Sequence, residues 1–224
     1  MKKLKIAFFE IEPWEIDYLK LELKGIDLAF FEEKIAPERF KKIQGVDILS
    51  PFIYSVIDKK ILNSLKSLKF IATRSTGFDH IDLKTCKDKN ILVSNVPSYG
   101  ENTVAEHTFA LILALSRKIY PSLEKTKKGD FSLENLRGFD LKGKTLAVVG
   151  VGNIGRHVIR IAKGLEMNIL AFDVRKDQKF AQEFDFKYAP LDYLFRNSDI
   201  ITLHVPYNKS THHIVNLKTL KLFK

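Results

Sequence analysis

Gly150-Val151-Gly152-Asn153-Ile154-Gly155 lies between an apolar run at residues 145–149 and an amphipathic stretch that begins at Arg156. A Gly-x-Gly-x-x-Gly motif between a strand and a helix predicts a dinucleotide-binding turn. Its glycines permit the tight turn, the approach of a pyrophosphate and the close packing of helix on strand. The N-terminus of the helix adds free N–H groups and a partial positive charge. An ordinary glycine turn is the alternative, and the flanking strand and helix weigh against it.

Asp173 ends a second apolar run, residues 168–172, and lies 18 positions after Gly155. An acid at the tip of the strand that follows the glycine turn can hold the hydroxyls of a ribose. Its charge would repel a 2′-phosphate. The turn and the acid together therefore predict NAD, rather than NADP, as the cofactor.

The bulk composition narrows the class of protein. The 224 residues suffice for one large domain or two modest ones, and 45% of them are hydrophobic. The 37 basic residues outnumber the 27 acidic ones, but they are scattered, without a basic helix or a basic–aromatic cluster. This pattern favours a solvated, lysine-rich surface over nucleic-acid binding. The single cysteine, Cys86, excludes an internal disulfide and fits a reducing compartment.

The sequence shows no pattern of secretion or membrane insertion. The apolar run near the N-terminus is short and is broken by Glu10 and Glu12, so it is typical of a first strand. The longest apolar run, residues 109–115, is too short to span a membrane. We therefore expect a cytoplasmic protein that binds neither nucleic acid nor membrane.

Strands and helices alternate along the first hundred residues. Short apolar runs predict strands, and helical patterns lie between them, which predicts a parallel sheet wrapped by helices. A later buried strand is expected in the second unit. The predicted strands are residues 4–9, 27–31, 48–50, 70–73, 91–94 and 199–205, and the predicted helices include residues 13–23 and 59–65.

A long helix is predicted from about Thr103 to Tyr120, after a turn cluster at residues 97–100. Asn102 or Thr103 can serve as its N-cap. Apolar residues cover most of its circumference, which predicts burial at a domain junction or a subunit interface. The polar residues 125–130 predict a connector to the glycine motif.

Four further segments complete the pattern. They are Arg74-Ser75-Thr76-Gly77-Phe78-Asp79-His80-Ile81-Asp82, Asn95-Val96-Pro97-Ser98-Tyr99, Val104-Ala105-Glu106-His107-Thr108 and Leu203-His204-Val205-Pro206. Together with the glycine motif and Asp173, in this order and at this spacing, they resemble the D-isomer-specific 2-hydroxyacid dehydrogenase family. The resemblance is nearest to the D-lactate dehydrogenase branch and covers essentially the whole chain.

The resemblance implies two α/β lobes with a cleft between them. Residues 1–98 would form a flavodoxin-like substrate lobe, and residues 99–224 a Rossmann NAD-binding lobe that is incomplete at its C-terminus. The implied reaction interconverts a small, pyruvate-like 2-keto acid and a D-lactate-like D-2-hydroxy acid with NAD. The apolar circumference of helix 103–120, and not the resemblance, predicts a homodimer formed through that helix. The implied substrate-binding residues are Tyr54, Thr76, Gly77 and Tyr99. The implied cofactor-binding residues are Val104, Gly150, Gly152, Asn153, Ile154, Gly155, Asp173, Val205, Pro206 and Thr211.

The family's catalytic Arg, Glu and His have no counterpart before Lys224. We therefore expect a truncated chain that has no catalytic residues, is inactive alone and leaves an open apolar edge at residues 200–205 or at the strand beside them. His80 is the least implausible substitute proton donor, but a structural role is favoured for it, and Arg74 is not implied to be catalytic. His204 is expected to make a local hydrogen bond.

No metal site is predicted. His212 and His213 are adjacent residues that we expect to point apart on an extended segment, and the only cysteine is distant in sequence. Three functions stay open: the dehydrogenase, a non-catalytic NAD-binding module such as a redox-sensing corepressor, and an inert fragment. The residues that would separate them are expected beyond Lys224.

Overall fold

The chain divides into two compact units, at residues 1–99 and 100–224. The structure, a computed structural model, describes residues 3–37 and 41–224. Each unit is a parallel sheet covered by helices, which confirms the predicted α/β class. Within the described ranges, no helix has both the length and the apolarity needed to cross a membrane.

The first unit has five strands in the order β2-β1-β3-β4-β5, and every pair is parallel. This is the flavodoxin-like order. The predicted strands agree with the observed ones to within one residue at each end. The strands are β1 (Lys5–Phe9), β2 (Asp27–Phe31), β3 (Ile48–Ser50), β4 (Phe70–Ala72) and β5 (Leu92–Ser94), and the helices are α1 (Pro13–Glu22), α2 (Lys59–Ser64) and α3 (Leu83–Asp88).

Apolar side chains cover both faces of this sheet, because its helices lie on both sides. Phe8 stacks on Phe30 on one face, and Phe9 stacks on Phe31 on the other, at ring distances of 5.4 and 4.5 Å. Parallel strands all end at the same edge. The loops that follow β1, β3, β4 and β5 are therefore gathered at one end of the unit.

The second unit has four parallel strands in the order β8-β7-β6-β9. Counted within the unit, this is 3-2-1-4, the first four positions of the Rossmann sheet. β9 lies at one edge, as expected for residues 200–205. The strands are β6 (Thr145–Val149), β7 (Asn168–Phe172), β8 (Lys187–Tyr188) and β9 (Ile200–Leu203), and the helices are α4 (Glu101–Ser116), α5 (Ile119–Lys127), α6 (Asn153–Gly164), α7 (Gln178–Glu183), α8 (Leu191–Asn197) and α9 (Leu217–Leu220).

The predicted bounds of the long helix were wrong. α4 begins at Glu101 with Gly100 as its N-cap, so neither Asn102 nor Thr103 caps it. It ends at Ser116, whose carbonyl accepts a hydrogen bond from the N–H of Phe139 at 3.0 Å. The chain then turns through a left-handed residue at position 118 and starts α5, which covers part of the predicted 125–130 connector.

The burial predicted for this helix is only partly met within the second unit. Ala105, Phe109 and Ile112 are buried in the core against α6. Leu111 and Leu115, on the other side, are 55% and 74% exposed. A helix that is apolar on most of its circumference therefore shows one buried face and one uncovered face.

Candidate functional site

The glycine turn is shaped by two close backbone approaches. Gly150 has φ +95°, and a Cβ there would overlap the carbonyl oxygen of His204 at the end of β9. A Cβ at Gly155 would overlap the carbonyl oxygen of Gly150. Gly152 differs, because a Cβ there would meet no atom within 4 Å. The first and last glycines therefore hold the turn together, and the middle one keeps its outer side open.

The N-terminus of α6 lies directly at this open side. Its N-cap is Gly152, and no side chain caps the helix. The first N–H groups of a helix have no partner within the helix. The side chain of Asn153 points to α4, where its Nδ2 donates to Glu101 Oε1 at 3.1 Å. The turn thus offers backbone donors and the positive end of a helix dipole to an anion.

Asp173, at the end of β7, accepts two backbone hydrogen bonds. Its Oδ2 accepts from the N–H of Val151 at 2.6 Å, and its Oδ1 accepts from the N–H of Arg175 at 2.8 Å. The side chain is only partly buried. A carboxylate has about four acceptor positions, so capacity is left for two ribose hydroxyls.

A cavity of about 330 Å³ opens beside the turn, and most of its wall is apolar. Six of the predicted cofactor residues line it: Gly150, Gly152, Asp173, Val205, Pro206 and Thr211. Asn153, Ile154, Gly155 and Val104 do not. The lining residues that the sequence did not indicate are Val149, Phe172, Val174, Leu191, His204, Asn208, Ser210 and Ile214.

A hydrogen-bonded turn closes one side of this cavity. The Oδ1 of Asn208 accepts from the N–H groups of Ser210 and Thr211 at 2.8 and 3.2 Å. The hydroxyl of Thr211 donates to the Pro206 carbonyl at 2.5 Å. The sequence carried a signal for this turn, because Asn, Ser and Thr side chains bond to nearby backbone in such loops.

His204 differs from what the sequence predicted. Its Nε2 is buried and has no hydrogen-bond partner among the described residues, so this nitrogen does not make the expected local bond. Burial lowers the pKa of its imidazole below the ordinary value, since burial penalises the charged form. A neutral ring in the cavity wall is therefore the stable form near neutral pH.

The candidate substrate loops lie at the carboxyl edge of the first sheet. Asn95 Nδ2 donates to the Thr76 carbonyl at 2.8 Å, and the Thr76 hydroxyl donates to the Val96 carbonyl at 2.9 Å. The N–H of Val96 donates to Ser75 O at 3.0 Å. The loops after β4 and β5 are thus bonded together. In the described ranges, neither Thr76 nor Gly77 donates its own backbone N–H, so both are available to a carboxylate.

The two candidate tyrosines occupy different segments of this unit. Tyr54 follows β3 and is 69% exposed, and Tyr99 is the last residue of the unit and is 63% exposed. The backbone N–H of Tyr54 donates to Glu10 Oε1 at 2.5 Å. The backbone of Tyr54 is therefore joined to the strand-end network of this sheet by a hydrogen bond.

His80 and Arg74, which we considered as a proton donor and a cation, both make contacts within the first unit. His80 Nε2 lies 3.3 Å from the hydroxyl of Thr73, and its carbonyl accepts from the N–H of Ile57. Arg74 donates to three carbonyl oxygens, those of Ser50, Phe9 and Glu10. These bonds support the structural roles that the sequence favoured.

The expectation that His212 and His213 point apart was wrong. Their rings stack at 3.7 Å, because His213 adopts a left-handed backbone conformation with φ 51°. His212 Nδ1 lies 2.7 Å from the Tyr207 hydroxyl. Over residues 3–37 and 41–224, no group of three metal-ligating side chains comes together.

The second half of the chain matches the model of a known protein family. Residues 109–224 match the model of the NAD-binding domain of the D-isomer-specific 2-hydroxyacid dehydrogenases. The chain belongs to the D-isomer-specific 2-hydroxyacid dehydrogenase family. The second unit is accordingly the NAD-binding domain of such a dehydrogenase.

Two curated relatives extend the match to the first unit. A 2-hydroxyacid dehydrogenase homolog of Haemophilus influenzae is 34% identical over 99% of this chain and 68% of its own length. D-lactate dehydrogenase of Escherichia coli is 34% identical over 95% of this chain and 66% of its own length. This dehydrogenase chain thus spans about two thirds of the length of these relatives.

Two solved structures of D-lactate dehydrogenases are similar to nearly the whole chain. The apo-structure of D-lactate dehydrogenase from Escherichia coli has a TM-score of 0.85 at 33% identity, over 99% of this chain and 71% of that one. D-lactate dehydrogenase from Aquifex aeolicus, complexed with NAD and lactic acid, has a TM-score of 0.92 at 35% identity, over 98% of this chain and 66% of that one.

The geometry of the NAD-binding domain fits the cofactor of the family. Gly152 has open space where a pyrophosphate would approach, and the uncapped N-terminus of α6 faces that space. Asp173 retains acceptor positions for ribose hydroxyls, and the apolar cavity wall is suited to an aromatic base. These are the chemical contacts that NAD requires.

Proposed function

We propose that this protein is an NAD-dependent dehydrogenase that interconverts a small 2-keto acid, such as pyruvate, and the corresponding D-2-hydroxy acid. The observation that carries the proposal is the pairing of the uncapped α6 N-terminus with Asp173 across the glycine turn. It supplies one site for phosphates and one for a ribose. The names of the D-lactate dehydrogenases among the relatives support a pyruvate-like substrate.

Different residues of the chain bind the cofactor and the substrate. NAD, when bound, accepts or donates the hydride of this reaction. Asp173 binds the ribose, and the N–H groups of the first α6 turn bind the pyrophosphate. On the first unit, the N–H groups of Thr76 and Gly77 bind the substrate carboxylate, and Tyr54 and Tyr99 line a pocket that favours a small substrate.

We further propose that residues 1–224 alone do not turn over. Reduction of a 2-keto acid needs a proton donor and a cation that polarises the carbonyl. Arg74 and His80 are committed to hydrogen bonds within the first unit. Loss of the general acid alone forfeits roughly 10²–10⁴-fold in rate.

The test compares two proteins. One is the 224-residue chain, and the other is a hybrid in which it is followed by the part of the Escherichia coli relative that lies beyond the matched region. Both are assayed for NADH oxidation with pyruvate, glyoxylate and hydroxypyruvate. We expect turnover from the hybrid only, with NADH binding by both in calorimetry. Turnover by the short chain would contradict its proposed inactivity.

A second candidate function is a non-catalytic NAD-binding module. The observation that favours it is that Arg74, beside the Thr76 loop, donates to backbone carbonyls, and that His80 Nε2 contacts the Thr73 hydroxyl. NADH binding by the hybrid without turnover on any of the three keto acids would favour this alternative. Failure of both proteins to bind NADH would favour an inert fragment.

We propose that the protein is a homodimer formed through residues 103–120, which comprise most of α4 and the start of α5. Leu111 and Leu115 of α4 and Ile119 of α5 are exposed. Apolar patches rimmed by polar residues mark protein interfaces. We also propose a cytoplasmic location, which the lone, buried Cys86 supports.

A further inference from the structure

Arg74 connects the carboxyl ends of three neighbouring strands. Its Nη1 donates to the Ser50 carbonyl at 2.8 Å, at the end of β3. Its Nη2 donates to the carbonyls of Phe9 and Glu10 at 2.9 and 2.8 Å, at the end of β1. Its backbone N–H, after β4, donates to Pro51 O at 3.0 Å. One guanidinium therefore sets the spacing between these three strand ends.

Glu10 continues this network into the loop after β3. Its Oε2 accepts from the N–H of Phe52 at 3.0 Å, and its Oε1 accepts from the N–H of Tyr54 at 2.5 Å. Glu10 has φ 56°, a left-handed conformation that is uncommon for a long side chain. Such a conformation persists only where the surroundings enforce it, and such positions cluster at functional sites.

The charge of Arg74 is committed to this network as well. Its Nε lies 3.4 Å from Glu15 Oε1, and both side chains are only 20% exposed. Burial lowers the pKa of Arg74, and the carboxylates of Glu15 and Glu10 oppose that effect. A guanidinium that serves three carbonyls and a carboxylate has no donor pair left for a substrate, so its contribution is positional.

We propose that Glu10 and Arg74 are positioning residues for the 2-keto acid substrate. Glu10 sets the loop that carries Tyr54. Arg74 sets that loop relative to the Thr76–Gly77 loop, which begins two residues after it. The inference rests on the proposed function, in which these loops contact the substrate.

Conservative variants separate this role from simple loss of packing. In Glu10→Gln the amide keeps one acceptor and gains a donor, so one of the two loop N–H groups faces another donor. In Arg74→Lys a point charge replaces the fork that reaches both strand ends. Asp17→Asn, at an exposed position of α1 in the same unit, is the matched control.

The first measurement is steady-state kinetics in whichever form, residues 1–224 or the hybrid, reduces a keto acid. We expect Glu10→Gln and Arg74→Lys to raise KM for pyruvate by roughly 10- to 100-fold, since small misplacements of binding groups have effects of this size. KM for NADH should stay unchanged, because the NAD contacts lie in the other unit. An equal rise in both KM values would overturn the positioning role.

A double-mutant cycle tests whether Glu10 acts through Tyr54. If it does, adding Glu10→Gln to Tyr54→Ala should change KM for pyruvate by less than about twofold, the spread expected where nothing further is lost. If the two effects multiply as independent changes, Glu10 does not act through Tyr54 and the inference fails. The cycle stays informative even if Glu10→Gln lowers the melting temperature, because both backgrounds carry that loss.

The kinetic measurements distinguish failure of the proposed function from failure of the positioning role. If neither form of the unmodified protein reduces a 2-keto acid, the proposed function is wrong, and the positioning role falls with it. If the unmodified protein is active and both variants leave KM for pyruvate unchanged, only the positioning role is wrong.

Discussion

The backbone N–H of Val151 donates to Oδ2 of Asp173 at 2.6 Å, so the acid at the end of β7 holds the glycine turn that follows β6. The two residues are 22 positions apart. Asp173, for which the sequence predicts a ribose contact, thus also holds the shape of the glycine turn. A substitution at this position should affect both.

Asp173→Ala should weaken NADH binding and narrow the preference for NADH over NADPH. A charge-assisted hydrogen bond contributes about 1.5–3 kcal/mol, so we expect a loss of roughly 10- to 100-fold in NADH affinity. NADPH affinity should fall less, because removal of the charge relieves its repulsion of the 2′-phosphate. Isothermal titration calorimetry measures both. Asp185→Asn, an exposed acid in the same unit, is the control, and equal losses for the two cofactors would contradict the ribose assignment.

Substitutions at the glycines of the turn should have different effects on stability and on cofactor binding. Gly155→Ala should lower the melting temperature sharply, because its Cβ would overlap the Gly150 carbonyl. Gly152→Ala has open space and should leave the melting temperature nearly unchanged while it weakens NADH binding. Gly164→Ala, in the same helix α6, also meets no atom and should stabilise by about 0.5–1 kcal/mol through helix propensity.

Thermal unfolding with and without NADH distinguishes these three variants. If Gly152→Ala binds NADH as tightly as the unmodified protein, the phosphate site does not lie at the open side of Gly152. If Gly155→Ala has the same melting temperature as the unmodified protein, the helix does not approach the Gly150 carbonyl as closely as the structure shows.

Leu115→Lys should convert a dimer to a monomer with little loss of monomer stability, because Leu115 is exposed on the uncovered face of α4. Ala105→Lys, on the buried face of the same helix, should instead unfold the domain, since an unpaired charge in a core costs several kcal/mol. Analytical ultracentrifugation gives the mass in each case. An unmodified protein that stays monomeric at high concentration would refute the proposed dimer.

His204 should make the protein less stable in mild acid. Its pKa in the folded state is lowered by burial, so below its unfolded value, about 6.5, the unfolded chain binds more protons than the folded one. Stability is therefore full above that pH and falls as the pH drops toward the folded pKa. Between pH 7.5 and 5.5, the melting temperature of His204→Asn should fall by less than that of the unmodified protein. Equal losses would show that His204 does not titrate on unfolding.

The fold was predictable from the sequence because its signals are local. Strand periodicity, the glycine turn and Asp173 each depend on a few neighbouring residues, and they placed β1, β6 and β7 to within a residue. The short elements β8, α7 and α8 were not predicted, because two to seven residues carry too little periodicity. Which face of α4 meets the core was not predicted, because an apolar helix does not show from its own sequence what covers each face.

The candidate site was predictable in part. The turn and Asp173 were predicted from a motif, since those residue types suit the chemistry of phosphates and ribose, whereas Val205, Pro206 and Thr211 were implied only by the family resemblance. The apolar wall of the cavity, with Phe172, Leu191 and Ile214, was not found, because apolar residues carry no such signature.

The sequence by itself determined which segments form the main strands, the dinucleotide turn and the acid that follows it, because these features depend on residues that are neighbours in the chain. Only the tertiary structure decided what Arg74, Glu10 and His204 do. Arg74 and Phe9, which share a hydrogen bond, are 65 positions apart in the sequence, and Glu10 and Tyr54 are 44 positions apart. The side chain of His204 is part of the cavity wall. Such partners are brought together by the packing of the sheet, so no local pattern contains them.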